Sequence, residues 1–320
     1  MGESQGTLVG AAAIFLTVAV VTLYMSNAAE ADLVVGHYAN SCPTVETIIA
    51  DSMKNSIASD STVAPGVLRL AFHDCFVRGC EASVLLDKAN SEKTAPINVN
   101  LHGFEAIDAA KAAVEKACPG VVSCADILQY AARDAVVLTG GQSWDVFAGR
   151  RDGTESNAAE PATELPLQTM TVSQLLSVFA LKNLNAAHMV ALSGSHSIGV
   201  AHCSFVTDRL YPNADSSIPA DLLASMKASC PTAAATTQLN LDEQTPNTFD
   251  SKYFDNIINN RGLLASDQVL LDDSLTASEV QANNGANFGT KFAQAMVVMA
   301  RYQVLIDNAG EIRTNCRNTL

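Results

Sequence analysis

No Asn-x-Ser/Thr sequon occurs anywhere in the 320 residues, and no two cysteines stand in a Cys-x-x-Cys pair. The first absence removes N-linked glycans; the second removes a thiolate zinc site of the usual spacing. Basic residues are scarce. With 19 Lys and Arg against 33 Asp and Glu, the formal charge is −14 and the pI about 4.7. That field repels nucleic acids and anionic membranes. Aromatic residues make up only 6%, with a single tryptophan. Alternating strand-like runs are rare, Ser143-Trp144-Asp145-Val146-Phe147 being the one clear candidate, while alanine and leucine are plentiful. This composition favours helices over sheets. There is no internal repeat, low-complexity tract or long flexible linker. The length and the 48% hydrophobic content suit one large domain or two small ones with a sizeable core.

What the chain does have begins with an apolar N-terminal run. No charged side chain occurs from Thr7 to Met25, and small residues follow at Ser26, Ala28, Ala29 and Ala31. The pattern predicts a signal peptide over 1–31 and a mature chain over 32–320. The lack of Lys or Arg before the run, and the run's length, also fit an uncleaved membrane anchor. All eight cysteines lie downstream. An even set in an exported chain predicts four disulfides, with the pairing left open, and a location outside the cytosol.

Helical periodicity is clearest in the stripes Phe104, Ile107, Ala110, Val114, Ala117 and Phe288, Phe292, Ala295, Met296, Met299. Segments 44–58, 64–75, 124–138, 171–182 and 250–260 carry similar patterns, and Thr171-Val172-Ser173-Gln174 is close to a capping box. Loops are expected at 88–103, 139–167, 212–218, 231–249 and 272–286. The reading is a single, mainly helical unit with long ordered loops.

One stretch suggests chemistry directly: Arg69-Leu70-Ala71-Phe72-His73-Asp74-Cys75-Phe76. On a helix Arg69, Phe72 and His73 share a face. A guanidinium beside an imidazole can stabilise a developing anion while the ring moves the proton. Of the six histidines, His196 also stands out. It follows an apolar helix end and sits among Ser195, Ser197 and Gly199, small neighbours that leave room for a bulky group.

The chain resembles the secretory plant (class III) haem peroxidases over nearly everything after the signal segment. The matching blocks are Tyr38-Ala39-Asn40-Ser41-Cys42-Pro43, the stretch from Arg69 to Cys80, Val122-Ser123-Cys124-Ala125-Asp126-Ile127, Gly149-Arg150-Arg151-Asp152-Gly153 and Leu192-Ser193-Gly194-Ser195-His196-Ser197-Ile198-Gly199. Thr245-Pro246-Asn247-Thr248-Phe249-Asp250, the run from Gly262 to Gln268, and Asn315-Cys316-Arg317 complete the series.

The resemblance implies a mainly α haem-peroxidase fold, two helical halves sandwiching one haem b. It makes His196 the axial ligand of the haem iron and Asp267 the carboxylate that accepts the other ring N–H. Phe72 would border the haem. His73 would be the acid–base residue, Arg69 its cationic partner, and Asn98 the acceptor of the His73 ring N–H. The segment Pro96-Ile97-Asn98-Val99-Asn100-Leu101-His102-Gly103-Phe104 is one residue shorter than the family pattern, which leaves Asn100 as a rival to Asn98. The implied disulfides are Cys42–Cys118, Cys75–Cys80, Cys124–Cys316 and Cys203–Cys230.

Two calcium sites are also implied: Asp74, Val77, Gly79, Glu81 and Ser83 for one, Ser197, Asp242, Thr245, Thr248 and Asp250 for the other. Glu81 stands where the family has Asp, and Ser197 where Thr is commoner. Pro166 matches the substrate-access proline, but Gln168 replaces the second proline of that motif. The chain closes without the extension that accompanies vacuolar relatives. The expectation is therefore a monomeric apoplast or cell-wall enzyme that reduces hydrogen peroxide and oxidises small phenolic donors one electron at a time. The alternative is a low-turnover haem- and calcium-binding wall protein.

Overall fold

Helix α2 (Val63–Val77) has eleven of its fifteen residues buried, among them Leu70, His73, Asp74 and Phe76. A helix apolar on nearly every side must lie inside, with other elements wrapped around it. In the computed structural model, which describes Gly2, residues 33–232 and residues 234–320, those elements are α1 (Val45–Ser59), α3 (Phe104–Ala117) and α4 (Cys124–Leu138). The predicted signal segment, 1–31, lies outside the described residues apart from Gly2.

A short α5 (Pro161–Glu164) leads to α6 (Val172–Leu181) and α7 (Ala186–Ser193), around which the second half assembles. Small helices α8 (Thr207–Leu210) and α9 (Ala220–Ser229) follow, then α10 (Lys252–Ile258) and α11 (Ala265–Gln268). Helices α12 (Ser274–Asn283) and α13 (Phe288–Met299) both pack on α7, and α12 also packs on α10. Among the described residues strand structure is limited to two antiparallel pairs: β1 (Val34–Val35) with β2 (Phe147–Ala148), and β3 (Val200–His202) with β4 (Gln238–Asn240).

Helix starts follow local chemistry. Thr171 and Gln174 form a reciprocal capping box on α6, and Asn185 with His188 does the same on α7. The expected loop over 272–286 is instead mostly α12. Only Thr276, Val280 and Asn283 of α12 are buried, so it carries no apolar stripe; the Asp273 side chain starts it by accepting from the Leu275 and Thr276 amides. The strand expected at Ser143–Phe147 is also corrected. Only Phe147 joins a strand, because the Trp144 ring turns edge-on to Phe292, with centroids 6.0 Å apart.

Four disulfides join Cys42 to Cys118, Cys75 to Cys80, Cys124 to Cys316 and Cys203 to Cys230, and no cysteine is free. Several of the matching blocks are structural anchors. The fully buried Asp126 carboxylate accepts from Tyr38 Oη, the Gly149 amide and Arg150 Nη1, each at 2.7 Å. The equally buried Asp152 accepts from the amides of Cys124, Ala125 and Arg313 at 2.8–3.1 Å, capping the start of α4. Breaking a buried ion pair strands the surviving charge. Asp126→Ala should therefore cost about 3–5 kcal/mol in denaturant unfolding.

Candidate active site

Only Val63, Pro65, Arg69 and Phe72 of α2 escape full burial, and the last three fall at i, i+4 and i+7. That spacing is one stripe of the helix. His73, 5% exposed, lies at its edge. Phe72 packs on Phe76 at 4.0 Å between ring centroids and reaches Phe179 at 6.2 Å, so its position is set by a small aromatic cluster.

The hydrogen bonds of His73 determine its tautomer. Asn98 Nδ2 donates to the Glu92 carbonyl at 2.9 Å, which orients the amide. Asn98 Oδ1, an acceptor only, then lies 2.8 Å from His73 Nδ1. Arg69 Nε, a donor only, lies 3.2 Å from His73 Nε2. The proton therefore sits on Nδ1 and the lone pair on Nε2. Arg69 is held from behind by Nη2 donating to the Ile97 carbonyl at 3.2 Å. Burial, with the Arg69 charge beside it, pushes His73 down to about 3, so the ring is a neutral base at ordinary pH. Asn100 lies in an exposed turn and makes no contact with His73 among the described bonds.

His196 sits in the 3-10 turn that ends α7. Its Nδ1 donates to Asp267 Oδ1 at 2.8 Å, and the Tyr253 hydroxyl donates to the same oxygen at 2.9 Å. Asp267 is 2% exposed, yet the His196 side chain is 36% exposed, and Nε2 has no hydrogen-bond partner among the described residues. The ring is anchored at one nitrogen and open at the other. Burial lowers its basicity, but the Asp267 carboxylate outweighs that and leaves His196 above its ordinary value; Arg69 works against the rise. The segment after His196 also approaches α2: a Cβ at Gly199 would lie 3.0 Å from the Pro65 side chain.

Each histidine is followed by an oxygen-rich cluster. After His73, Asp74 is fully buried and accepts from the Ala82 amide at 2.9 Å, while Ser83 Oγ, also buried, has no partner among the described residues. Burial raises Asp74 to about 8 and Glu81 to about 7, the Asp74 charge adding to the latter. Glu81 lies against Gly153, where a Cβ would come within 2.5 Å of its Oε1. The missing side chain makes room for the extra methylene of Glu81. Val77 ends α2 and Gly79 lies just beyond it, both between these acids in the chain.

After His196, Ser197 Oγ donates to the Thr248 carbonyl at 3.0 Å and accepts from the Asp250 amide at 2.9 Å. Thr245 Oγ1 lies 3.2 Å from Asp242 Oδ2 and 3.0 Å from Asp250 Oδ1. One hydroxyl hydrogen cannot satisfy both carboxylates at once. Among the described residues no group of three or more His, Cys, Asp or Glu side chains is placed for a metal. Each cluster instead combines two carboxylates with neutral oxygens, a donor type that hard cations take.

A family model described as peroxidase matches residues 49–285. The chain belongs to the peroxidase family. A basic peroxidase of Zinnia elegans is 47% identical over 99% of this chain and 98% of its own length. Peroxidase 5 of Vitis vinifera is 47% identical over 94% and 96%, and peroxidase 62 of Arabidopsis thaliana 45% over 88% and 91%. This bears out the resemblance to the plant class III enzymes. The chain is a peroxidase, an oxidoreductase that uses hydrogen peroxide to oxidise reducing donors, and its family implies haem.

Pro166 of the peroxidase is half-buried beside Leu167, which is exposed. The loop is tied to α11, which carries Asp267, by the Ser266 amide donating to the Gln168 carbonyl at 3.0 Å. That bond uses the backbone, so Gln168 in place of proline leaves it intact. Sequence reasoning missed Tyr253 and the Ile97 and Glu92 carbonyls. No motif flagged Tyr253, and a carbonyl leaves no mark on residue type.

Proposed function

We propose that this peroxidase binds haem b between His73 and His196 and oxidises small phenolic donors outside the cell. The observation that carries the reading is the pair of complementary rings: His73 with its lone pair held at Nε2 beside a guanidinium, His196 with Nε2 open and Nδ1 tied to a buried carboxylate. An open Nε2 with a fixed tautomer is what an axial ligand needs. Bound haem supplies the centre at which peroxide is reduced and the two oxidising equivalents are held.

The chain's own groups handle protons and charge. His73 Nε2 takes the proton from one peroxide oxygen and delivers it to the other as that oxygen departs as water. Arg69 stabilises the negative charge that builds on the departing oxygen. Asn98 keeps the Nδ1–H in place throughout, so the base always returns to the same nitrogen. Two phenols each yield one electron and one proton, giving a second water and two phenoxyl radicals. Pro166 and Leu167 would border the donor's approach.

The alternative, a low-turnover binding protein, rested on the altered 96–104 segment. Asn98 Oδ1 at 2.8 Å from His73 supplies the acceptor that turnover requires. Mixing the haem-loaded protein with hydrogen peroxide tests the choice. A rapid shift of the haem band, reversed by a phenol, is expected; an inert band would sink the enzymatic reading.

Two calcium ions would sit at these oxygen clusters; the unpartnered Ser83 Oγ supports the first site, and the Asp242 and Asp250 carboxylates sharing the Thr245 hydroxyl support the second. Val77, Gly79 and Thr248 would give carbonyl oxygens, and Asp74, Glu81 and Ser197 side-chain oxygens. A ligand held only by the native state adds about 2.7 kcal/mol at a hundredfold excess over its dissociation constant. Chelation should therefore lower the thermal midpoint and, because each cluster adjoins a haem-face histidine, disturb the haem spectrum. An unchanged melt and spectrum after exhaustive chelation would rule the calcium reading out. The 1–31 segment and the four disulfides support secretion to the apoplast or wall; the intact mass of the mature chain, expected to start near position 32, checks it.

A further inference from the structure

The chain is poor in aromatic residues, yet five of them form an unbroken line from the protein surface to His196. Trp144, the only tryptophan, lines an open groove of about 420 Å³ between residues 142–144 and α13, with Gln142, Ser143, Gln294 and Val298 beside it. Inward from Trp144, ring centroids step 6.0 Å to Phe292, 5.7 Å to Phe288, 5.1 Å to Phe254, 4.9 Å to Tyr253 and 6.1 Å to His196. The four rings between Trp144 and His196 are each at most 3% exposed.

Phenylalanines clustered in a core need no function. What core packing does not account for is the ends of the line. The two readily oxidised side chains, Trp144 and Tyr253, terminate it. The phenylalanines between them exclude water and are not themselves oxidised. Tyr253 has a proton acceptor at hand, its hydroxyl donating to Asp267 Oδ1 at 2.9 Å. At the outer end the groove has a volume suited to one or two aromatic rings and offers polar partners at Gln142, Ser143 and Gln294.

We propose that Trp144 is a second site of donor oxidation, which draws electrons from bulky phenols at this groove and passes them along the ring line to the His196 side of the active site. The inference rests on the placement of haem at His196. An oxidising equivalent generated by peroxide takes one electron from Tyr253, whose phenolic proton moves to Asp267. Trp144 returns that electron through the phenylalanines, and the proton goes back to the Tyr253 oxygen. A phenol in the groove then loses one electron and one proton, restoring the indole and leaving as a phenoxyl radical. Two such passes account for both electrons that reduce hydrogen peroxide to water.

The test uses the haem-loaded full chain. Freeze-quenched with one equivalent of peroxide and no donor, the wild type is expected to show an indole radical by electron paramagnetic resonance. The signal should be absent from Trp144→Phe and diminished in Phe254→Leu, which interrupts the line at a ring that does not contact the tryptophan. Turnover of a phenol-substituted dextran, too large for a narrow haem channel, should be lost in Trp144→Phe, while a free small phenol is oxidised at the wild-type rate. A wild type whose haem band responds to peroxide without an indole signal overturns the proposal, as does equal dextran turnover in the variant. If His196→Ala keeps the wild-type haem spectrum, the placement of haem has failed, and this inference falls with it.

Discussion

Replacing His73 with alanine should slow the reaction of the haem-loaded enzyme with hydrogen peroxide by about 10²–10⁴-fold, the usual reach of a positioned acid–base group. The haem band should remain, because the proposed iron ligand is His196. Nε2 carries the lone pair because Nδ1 is committed to Asn98 and Arg69 can only donate. A variant that reacts at the wild-type rate would show that the proton moves through some other group.

The pH dependence follows with a definite sign. His73 falls from 6.5 to about 3 in the folded protein, and the neutral ring is the working base. The rate constant with peroxide should stay level from neutrality downward and drop only as pH falls through about 3. The same shift acts on stability. Between pH 6.5 and 3 the unfolded chain binds a proton that the buried ring refuses, so this group makes the fold less stable as pH falls through that window. Stopped-flow rates taken alongside circular dichroism separate the two effects.

The second large effect concerns the opposite ring. His196→Ala should abolish the axial contact, seen as a changed haem spectrum and a large fall in peroxidase turnover. Asp267→Asn should be the more informative variant. It keeps the shape of the partner but removes its charge, and outer-shell changes of this kind cost about 10–100-fold. Asp267 raises His196 against the pull of burial, so losing its charge should weaken the electron donation of the ring. A shifted reduction potential with haem still bound is the expected signature. An unaltered potential would mean that the carboxylate only packs the site.

Much of the site can be read from residue order because its parts are local. Arg69, Phe72 and His73 fall on one helical face by spacing, and the small residues around His196 follow directly from the chain. The resemblance extended this to Asp267, Asn98 and the oxygen clusters. The failures have a common cause. Helix α12 leaves no helical signal in the sequence because its stability comes from packing on α7 and a single Asp273 cap, with no apolar stripe. The Ser143–Phe147 alternation indicates a strand only if the outward residues stay outward, and Trp144 instead turns to Phe292.

Residue types and their order set the helical class, the export-compatible cysteine count and the pairing of a cation with an imidazole on α2. These are properties of neighbours along the chain, where covalent geometry does the positioning. Folding in space was needed to choose Asn98 over Asn100, put the lone pair of His73 on Nε2, leave one nitrogen of His196 free, and line up Trp144 with Tyr253. Those outcomes depend on contacts between segments 25 to more than 100 residues apart. Such contacts form only once burial has fixed which groups share the interior, and no local pattern encodes them.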